Sequence, residues 1–508
     1  MAGTGKTIRQ GESAMSGNPE AKHGSARRAR VVVVGGGLAG LECATALAGH
    51  GVDDILVLEA GPGEDLDHIH RAYSRERASE MVFAPEGDPY FHRPWSSRTQ
   101  PHYTGISGLR RRLGGRSLYW HGVILPLEDW ALREPWWPAA VVTDLTTGHR
   151  GGPSLYEQVT ADLLEWSGAP AGDAAGPGTR RFGGQSFLPL PRACRAVPGG
   201  DRWEAYTPLE RWRDGDGRVA PPPGIGVRCG TDVLAVEVRG GRARGVVIGD
   251  GAGGTRTIAA DTVVLCAGTV ESTRLAVQAL TVAGVLREPR LGGLADHIVQ
   301  GFVVRLPSGG PPPGSFYVPT SPATRSYLRM DVTPDGPGAC LLDVRITGEQ
   351  LPDERSAVEC RPSAAFPWPT RVRTGLGTED RQLVAAQRQV LRDFWRAAAP
   401  EVGVRARPLE FTAFGDADRD NTRVLPGRTR RQPVGRPETW TSLLGTEDHE
   451  GGSLPLGRVL TPRHEFAGLP GLYAAGPAVF PRLGAANPSL TTIALSRRLA
   501  AILAAGPR

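Results

Sequence analysis

The sequence has little cysteine, almost no lysine and no long apolar run, and each shortage excludes a class of protein. Its 508 residues include six cysteines, which form no Cys-x-x-Cys pair and no Cys/His cluster with metal-ligand spacing. We therefore predict no metal site, and the simplest setting is a reducing, cytoplasmic one. No apolar stretch reaches the roughly 18 residues that a membrane-spanning helix needs, so we predict no membrane partner.

Positive charge is scattered arginine rather than a basic block. Lys6 and Lys22 are the only lysines, and the formal net charge is +6 at pH 7. Proteins that bind nucleic acid through a basic arm carry runs of like charge, and none occurs here, so we predict no nucleic-acid partner. Hydrophobic residues make up 40% and charged residues 22%, as in ordinary globular chains, and the length allows two lobes with separate cores.

A dinucleotide-binding pattern begins close to the N-terminus. The apolar run Val31 to Val34 predicts a buried parallel strand, and Leu41 to Ala48 predicts the helix that follows it. Between them stands Gly35-x-Gly37-x-x-Gly40. The first glycine permits a tight turn, the second lets the backbone approach a pyrophosphate, and the third lets helix and strand pack closely.

An acidic residue completes this pattern. Glu59 ends a second apolar strand, Ile55 to Leu58, about 20 residues after Gly40. Its carboxylate can bind ribose hydroxyls and would repel a 2'-phosphate. The pattern does not separate NAD from FAD, and a glycine turn without any nucleotide is the alternative. Its place near the N-terminus, with a return element at the extreme C-terminus, favours FAD.

Further periodic segments extend to the end of the chain. Val233 to Val238 and Arg244 to Ile248 predict a hairpin joined by Gly240-Gly241. The other predicted elements are strands at Thr262–Leu265, Phe302–Leu306, Cys340–Ile346 and Leu472–Ala475 and helices at Leu155–Trp166, Glu271–Ala279, Glu379–Ala398 and Pro488–Ala505.

The predicted fold class is α/β. We expect a Rossmann-like FAD-binding domain that is discontinuous in sequence, with an inserted α+β substrate domain. Residues 1–30 are polar and without hydrophobic periodicity, and we interpret them as a disordered tail. The division that we predict gives residues 31–125, 226–298 and 458–508 to the FAD-binding domain and residues 126–225 and 299–457 to the substrate domain.

Several segments, in order, resemble the glucose-methanol-choline (GMC) family of flavin oxidoreductases. Residues 113–117, LGGRS, resemble its glycine loop beside the flavin ring, and residues 263–275 resemble its strand-turn-helix that touches the flavin. Residues 293–297, GLADH, are similar to its aspartate-histidine pair. The strongest similarity is at residues 449–457, HEGGSLPLG, which precede the late strand and Asn487-Pro488.

The resemblance implies the residues that act. His449 would be the base that takes a hydroxyl proton, because the ordinary pKa of histidine is close to neutrality. Asn487 would hydrogen-bond the substrate oxygen, and hydride would pass from the alcohol carbon to flavin N5. We predict cofactor contacts at Gly35, Gly37, Gly40, Glu59, Gly115, Ser117, Val233, Gly268, Gly476 and Pro488.

The sequence departs from the family at two positions. Residues 475–477 read Ala-Gly-Pro where the family often has an aspartate, which leaves backbone amides there. Tyr119 stands where the branch resembling pyranose oxidase carries its flavin on a histidine, so we predict non-covalent FAD.

Other polar and aromatic residues have a structural as well as a functional interpretation. His121 lies near the glycine loop but outside the matched positions, and His297 is predicted to brace the structure. The tryptophans that could stack on a sugar are interpreted as core, and the acidic residues around His449 as a solvated loop. These residues are Trp136, Trp137 and Trp368, and Glu447, Asp448 and Glu450.

The implied reaction is the oxidation of an alcohol to a carbonyl compound. Residues 114–125 and the overall length resemble flavin oxidases of aminoglycoside antibiotic pathways, which oxidise a sugar hydroxymethyl group to an aldehyde. We thus expect a sugar-like alcohol as substrate, with molecular oxygen or another electron acceptor. The alternatives are a flavin dehydrogenase for a simple sugar or sterol, an NAD-dependent enzyme, and a redox-silent flavin-binding protein.

Overall fold

A computed structural model describes residues 28–98, 103, 106–148, 151–168, 179–198, 202–251, 253–307, 310–411, 433–442 and 444–506. Most of the predicted N-terminal tail lies outside these residues. Its last three residues belong to the first strand, Arg28–Val34, so the prediction of disorder is wrong for residues 28–30. Their backbone pairs with Ala259 and Ala260 of a neighbouring strand, which the apolar pattern of the valines alone did not reveal.

One sheet of seven strands, here called the cofactor sheet, gathers distant parts of the chain. Val32 and Val34 point into one hydrophobic core and Val31 and Val33 into another, so this central strand is buried on both faces, as the run of valines predicts. The strand order is Ile225–Arg228, Ile55–Leu58, Arg28–Val34, Thr255–Leu265, Arg242–Gly249 and Val233–Arg239, with Leu472–Ala474 also paired to Thr255–Leu265.

Helices cover both faces of this sheet. Leu38–Gly49 and Ser489–Ala504 share one core, to which Leu41 and Leu499 contribute. Thr269–Val282 packs in the other core. These helices begin or end up to three residues from their predicted limits, because backbone capping rather than hydrophobic periodicity fixes a helix end.

A second sheet of seven antiparallel strands, here called the substrate sheet, lies across the cavity from the cofactor sheet. Its strand order is Glu438–Ser442, His297–Leu306, Cys340–Glu349, Ser326–Pro334, Gly314–Ser321, Gln185–Pro189 and Arg180–Phe182.

The two faces of the substrate sheet differ in polarity. Leu328 and Met330 on one face pack in a core with Phe394 of the long helix Thr378–Glu401. Tyr327 and Arg329 alternate with them and line the cavity. Side chains at successive strand positions point to opposite faces, so the polar alternation of this sequence gives the cavity a polar wall.

Shorter elements complete the fold. The stretch 61–100, which the sequence left without periodicity, contains two of the helices. In the described part of the chain, the remaining helices are Ile69–Ala72, Arg75–Phe83, Asp129–Leu132, Ala139–Thr146 and Leu155–Ser167, with 3-10 turns at Pro85–Gly87, Gly115–Leu118, Pro208–Trp212 and Pro477–Val479. The remaining strands are Phe91–His92, Trp95–Ser97, Leu109–Arg110, Cys194–Ala196, Trp203–Ala205, Arg290–Gly292, Ala357–Cys360 and Thr370–Arg373.

The α/β class with a dinucleotide-type sheet is confirmed. The division into an FAD-binding and a substrate domain at the predicted residues remains a proposal. Within the described ranges, no helix has the length and apolar character to cross a membrane.

Candidate active site

A cavity of about 610 Å³ extends from the glycine turn to the polar face of the substrate sheet. Every site residue predicted from the sequence lines it, with one exception. Gly40 lies behind the turn, where a Cβ atom on it would approach the carbonyl oxygen of Gly35 to 2.0 Å. Its place is therefore in the packing of helix against strand, as the pattern predicts.

The glycine turn presents bare backbone to the cavity. Gly35 has φ 103°, and a Cβ there would lie 2.5 Å from the carbonyl oxygen of Cys266. Gly37 precedes the helix Leu38–Gly49, has open space where a Cβ would stand, and provides no side-chain cap. The amides at this helix start and the open space beside them fit a pyrophosphate group.

Glu59 is held in place from within the protein. Its carboxylate accepts hydrogen bonds from the amides of Gly36, at 2.9 Å, and Gly61, at 2.8 Å. Burial raises the pKa of Glu59, and the two amides act in the opposite direction. Each oxygen keeps a lone pair that can accept a ribose hydroxyl from the cavity.

The glycine loop packs directly on the glycine turn. The Gly114 amide donates to the Gly36 carbonyl at 2.7 Å, and a Cβ on Gly115 would lie 3.3 Å from the Cα of Gly37. The Ser117 hydroxyl donates to the Gly114 carbonyl at 2.7 Å. Ser117 therefore shapes the loop through its side chain while it lines the cavity.

The other predicted cofactor residues lie along the same wall. Gly268, with φ 80°, and Gly476, with φ 101°, each directly precede a helix and provide no side-chain cap. Pro488 and Val233 also line the cavity. The two glycines carry no side chain that would crowd a flat flavin ring or the phosphates of the dinucleotide, so the cavity suits FAD.

A chain of hydrogen bonds joins the two predicted catalytic residues to His297. Asn487 Nδ2 lies 3.1 Å from His449 Nε2, and His449 Nδ1 lies 2.9 Å from His297 Nδ1. His297 Nε2 lies 3.1 Å from the carbonyl oxygen of Gly484. The prediction that His297 only braces the structure was thus incomplete, because its ring contacts the ring of His449.

The protonation of His297 follows from this geometry. Burial, and then the neighbouring His449, lower the pKa of His297 to about 3, so it is neutral near pH 7. A carbonyl oxygen can only accept, so His297 carries its proton on Nε2 and leaves Nδ1 as an acceptor. His449 must then donate from Nδ1, which leaves the lone pair of its Nε2 toward Asn487.

The acidic residues around His449 line the cavity, and the prediction of a solvated loop is wrong for Glu450, which is buried. Arg116 of the glycine loop forms ion pairs with Glu450, at 2.6 Å, and Asp448, at 3.2 Å. The Glu450 side chain is only 2% exposed, and burial raises its pKa. An ion pair across two loops, invisible in sequence, draws these acids inward.

Part of the cavity wall was not predicted from the sequence. Tyr327, Arg329, Arg345 and Thr347 line the cavity from the substrate sheet. The two arginines pair with acids on the same face, Arg329 with Asp331 at 2.9 Å. The signal that could have revealed this wall is the alternation of polar and apolar residues, both in the predicted strand 340–346 and in the segment 326–334.

The aromatic residues divide between core and cavity. Trp137 is 1% exposed and Trp368 is 6% exposed, in agreement with a core role, although Trp368 also lines the cavity. His121 lines it too, as does Trp120, whose indole nitrogen donates to the Tyr206 carbonyl at 2.6 Å. Among the described residues, no group of three or more His, Cys, Asp or Glu side chains could hold a metal ion.

Comparisons with known proteins agree with this geometry. Residues 352–496 match the model of the GMC oxidoreductase family, and residues 30–74 match the FAD binding domain model. The first match contains both His449 and Asn487, and the second contains the glycine turn and Glu59. No curated protein matches the chain significantly.

Solved structures share the fold over nearly the whole chain. Pyridoxine 4-oxidase from Mesorbium loti superposes with a TM-score of 0.61 at 16% identity, over 93% of this chain and 99% of that one. A formate oxidase variant from Aspergillus oryzae RIB40, studied for its FAD modification, gives a TM-score of 0.60 at 15% identity, over 94% and 98% of the two chains. The predicted resemblance is confirmed, and the chain is an FAD-dependent oxidoreductase that resembles the GMC family.

Proposed function

We propose that the protein oxidises the CH–OH group of a small-molecule alcohol to a carbonyl group, with His449 as the base. The observation that carries this proposal is the contact of His449 Nε2 with Asn487 Nδ2, at 3.1 Å, on the cavity wall shared with the predicted flavin residues. A basic lone pair and an amide donor there can hold one hydroxyl group between them.

The protein's own groups then have definite tasks. The substrate hydroxyl displaces the Asn487 N–H from the single lone pair of His449 Nε2, which then takes the hydroxyl proton, and the displaced N–H donates to the substrate oxygen. His297 accepts from His449 Nδ1, so it keeps Nε2 free of a proton before substrate binds. FAD, when bound, supplies the acceptor of the hydride that leaves the alcohol carbon.

We propose that FAD is bound without a covalent link. Tyr119 is 5% exposed and burial raises its pKa, so the reactive phenolate form is disfavoured. His121 is the cavity histidine nearest in sequence to the glycine loop. Denaturation in acid should release all yellow colour from the polypeptide. Colour retained on the polypeptide would overturn the proposal, and its loss in His121→Ala would identify His121 as the point of attachment.

For the substrate class we propose a sugar-like alcohol that carries amino groups, such as the 6'-hydroxymethyl group of paromamine in antibiotic biosynthesis. Glu447 lines the cavity and supplies negative charge for an ammonium group, whereas the charge of Asp448 is already paired with Arg116. Trp120 offers a ring whose orientation is fixed. The arginines on the substrate sheet are paired with acids, so they do not reverse this preference.

The substrate proposal is tested by anaerobic bleaching of the flavin. Paromamine, glucose, a sterol alcohol and pyridoxine are mixed separately with the FAD-loaded protein under argon. We expect paromamine to bleach the flavin fastest, whereas faster bleaching by glucose or the sterol would favour the alternative of a sugar or sterol enzyme. Failure of every alcohol would favour a redox-silent flavin-binding protein. Peroxide formed under air distinguishes an oxidase from a dehydrogenase that uses a carrier.

A further inference from the structure

Tyr327 connects the substrate sheet to the catalytic pair. It is 2% exposed, lies on the polar face of the substrate sheet and lines the cavity. Its hydroxyl donates to Asn487 Oδ1 at 2.8 Å, while the nitrogen of the same amide faces His449. Thr347, its partner in the neighbouring strand, also interacts with the Tyr327 hydroxyl through its side chain and acts to lower the pKa of that hydroxyl.

The hydrogen bonds form a series that runs from Tyr327 through Asn487, His449 and His297 to the Gly484 carbonyl, and the groups at its two ends determine the direction of each bond. The Gly484 carbonyl at one end can only accept, so His297 and His449 each donate toward it. When His449 is neutral, its Nε2 atom must therefore accept, and only the NH₂ side of the Asn487 amide can donate to it. At the other end the Tyr327 hydroxyl donates to the amide oxygen, which holds the amide in this orientation.

The reversed amide would change the chemistry of His449. An amide oxygen that faced Nε2 would stabilise a proton there, and His449 would then be protonated at a higher pH. With the Tyr327 hydroxyl in place, the reversed amide would lose its donor to Oδ1 and would bring its N–H groups toward a hydroxyl that already interacts with Thr347.

We infer that Tyr327 is a positioning residue that holds the Asn487 amide with its N–H toward His449 and thereby keeps the base unprotonated. The inference rests on the proposed role of His449. The substrate sheet contains no predicted cofactor residue, and the inference gives it a direct part in preparing the base.

Other charged groups also surround His449. Glu447, Asp448 and Glu450 belong to its own loop, and Arg116 approaches from the glycine loop. From the substrate sheet, His297 contacts it directly and Arg329 and Arg345 face the same cavity. A test must therefore leave these groups unchanged and alter only the donor to the amide.

Tyr327→Phe makes that change, because it removes the hydroxyl and keeps the ring. The FAD-loaded protein is labelled with ¹⁵N-histidine, and the NMR signals of its histidine nitrogens are followed as the pH is changed. The signal of His449 is identified as the one that is absent from His449→Gln. We expect the pKa of His449 to rise by about one unit in Tyr327→Phe. Thr347→Val, which frees the hydroxyl to accept from a reversed amide, should raise it by a smaller amount.

Tyr317→Phe is the matched control, because Tyr317 stands beside Tyr327, with ring centroids 6.5 Å apart, and does not line the cavity. It should leave the pKa of His449 unchanged. An unchanged pKa in Tyr327→Phe, or an equal rise in all three variants, would overturn the inference. Because no substrate is added, this result is independent of whether any alcohol is oxidised, which is tested separately by bleaching.

Discussion

A methyl group on Gly40 would lie 2.0 Å from the carbonyl oxygen of Gly35, at the point where the first helix leaves the glycine turn. The methyl group is fixed to the helix backbone and the carbonyl is itself backbone, so neither can move without distorting the turn. We expect Gly40→Ala to lose FAD and to lower the free energy of unfolding by about 3 kcal/mol or more. Fluorescence of released FAD and urea unfolding measure the two effects.

Gly49 offers a control in the same helix. A Cβ on it would meet nothing within 4 Å. Gly49→Ala should bind FAD normally and gain up to about 1 kcal/mol of stability, since alanine favours helix over glycine. If Gly40→Ala and Gly49→Ala lost FAD and unfolding free energy equally, the role of Gly40 would not be to let the helix pack on the turn.

Glu59 should decide how tightly FAD is held. Glu59→Gln keeps the shape but replaces a charged acceptor, so we expect the Kd of FAD to rise about tenfold. The exposed Glu86→Gln is the matched control and should leave the Kd unchanged. Titration of apoprotein with FAD makes the comparison, and an unaltered Kd in Glu59→Gln would contradict the ribose contact.

Arg116 compensates the buried charge of Glu450. Removal of one partner of a buried pair leaves the other uncompensated, so Arg116→Met should cost about 3 kcal/mol of unfolding free energy. The double variant Arg116→Met/Glu450→Gln should recover most of that loss. Arg77→Met, which breaks an exposed pair with Glu80, should cost under about 1 kcal/mol. If the unfolding free energy lost in the double variant equalled the sum of the losses in the two single variants, the pairing of Arg116 with Glu450 would be contradicted.

Glu128 should make stability depend on pH near neutrality. Burial raises its pKa from 4.5 to about 7, and its carboxylate accepts from the Ala485 amide two residues before Asn487. The folded state therefore binds the proton more strongly than the unfolded state, and its stability falls as the pH rises from about 4.5 to about 7. Glu128→Gln, which resembles the protonated form, should remove this fall.

Thermal unfolding of both proteins at several pH values measures the effect. The wild type should lose up to about 3 kcal/mol relative to Glu128→Gln between pH 5 and pH 8. Parallel stability curves for the two proteins would show that Glu128 titrates normally in the folded state.

The features that the sequence revealed are those that one short segment encodes. Gly35, Gly37 and Gly40 function within a single turn, so their spacing is sufficient to predict it. His449 and Asn487 are distant from each other, and only a family resemblance joined them. The contacts of His297 and Tyr327 depend on strand register, and the burial of Glu450 depends on Arg116 of another loop, so neither follows from local pattern.

The central claim is that His449 takes the substrate proton. The most direct test is the rate of anaerobic flavin bleaching in His449→Ala, measured with the fastest alcohol of the screen, and with the exposed His50→Ala as control. We expect His449→Ala to bleach at least about a hundredfold more slowly with FAD still bound, and His50→Ala to match the wild type. A rate in His449→Ala equal to that of the wild type would contradict the claim.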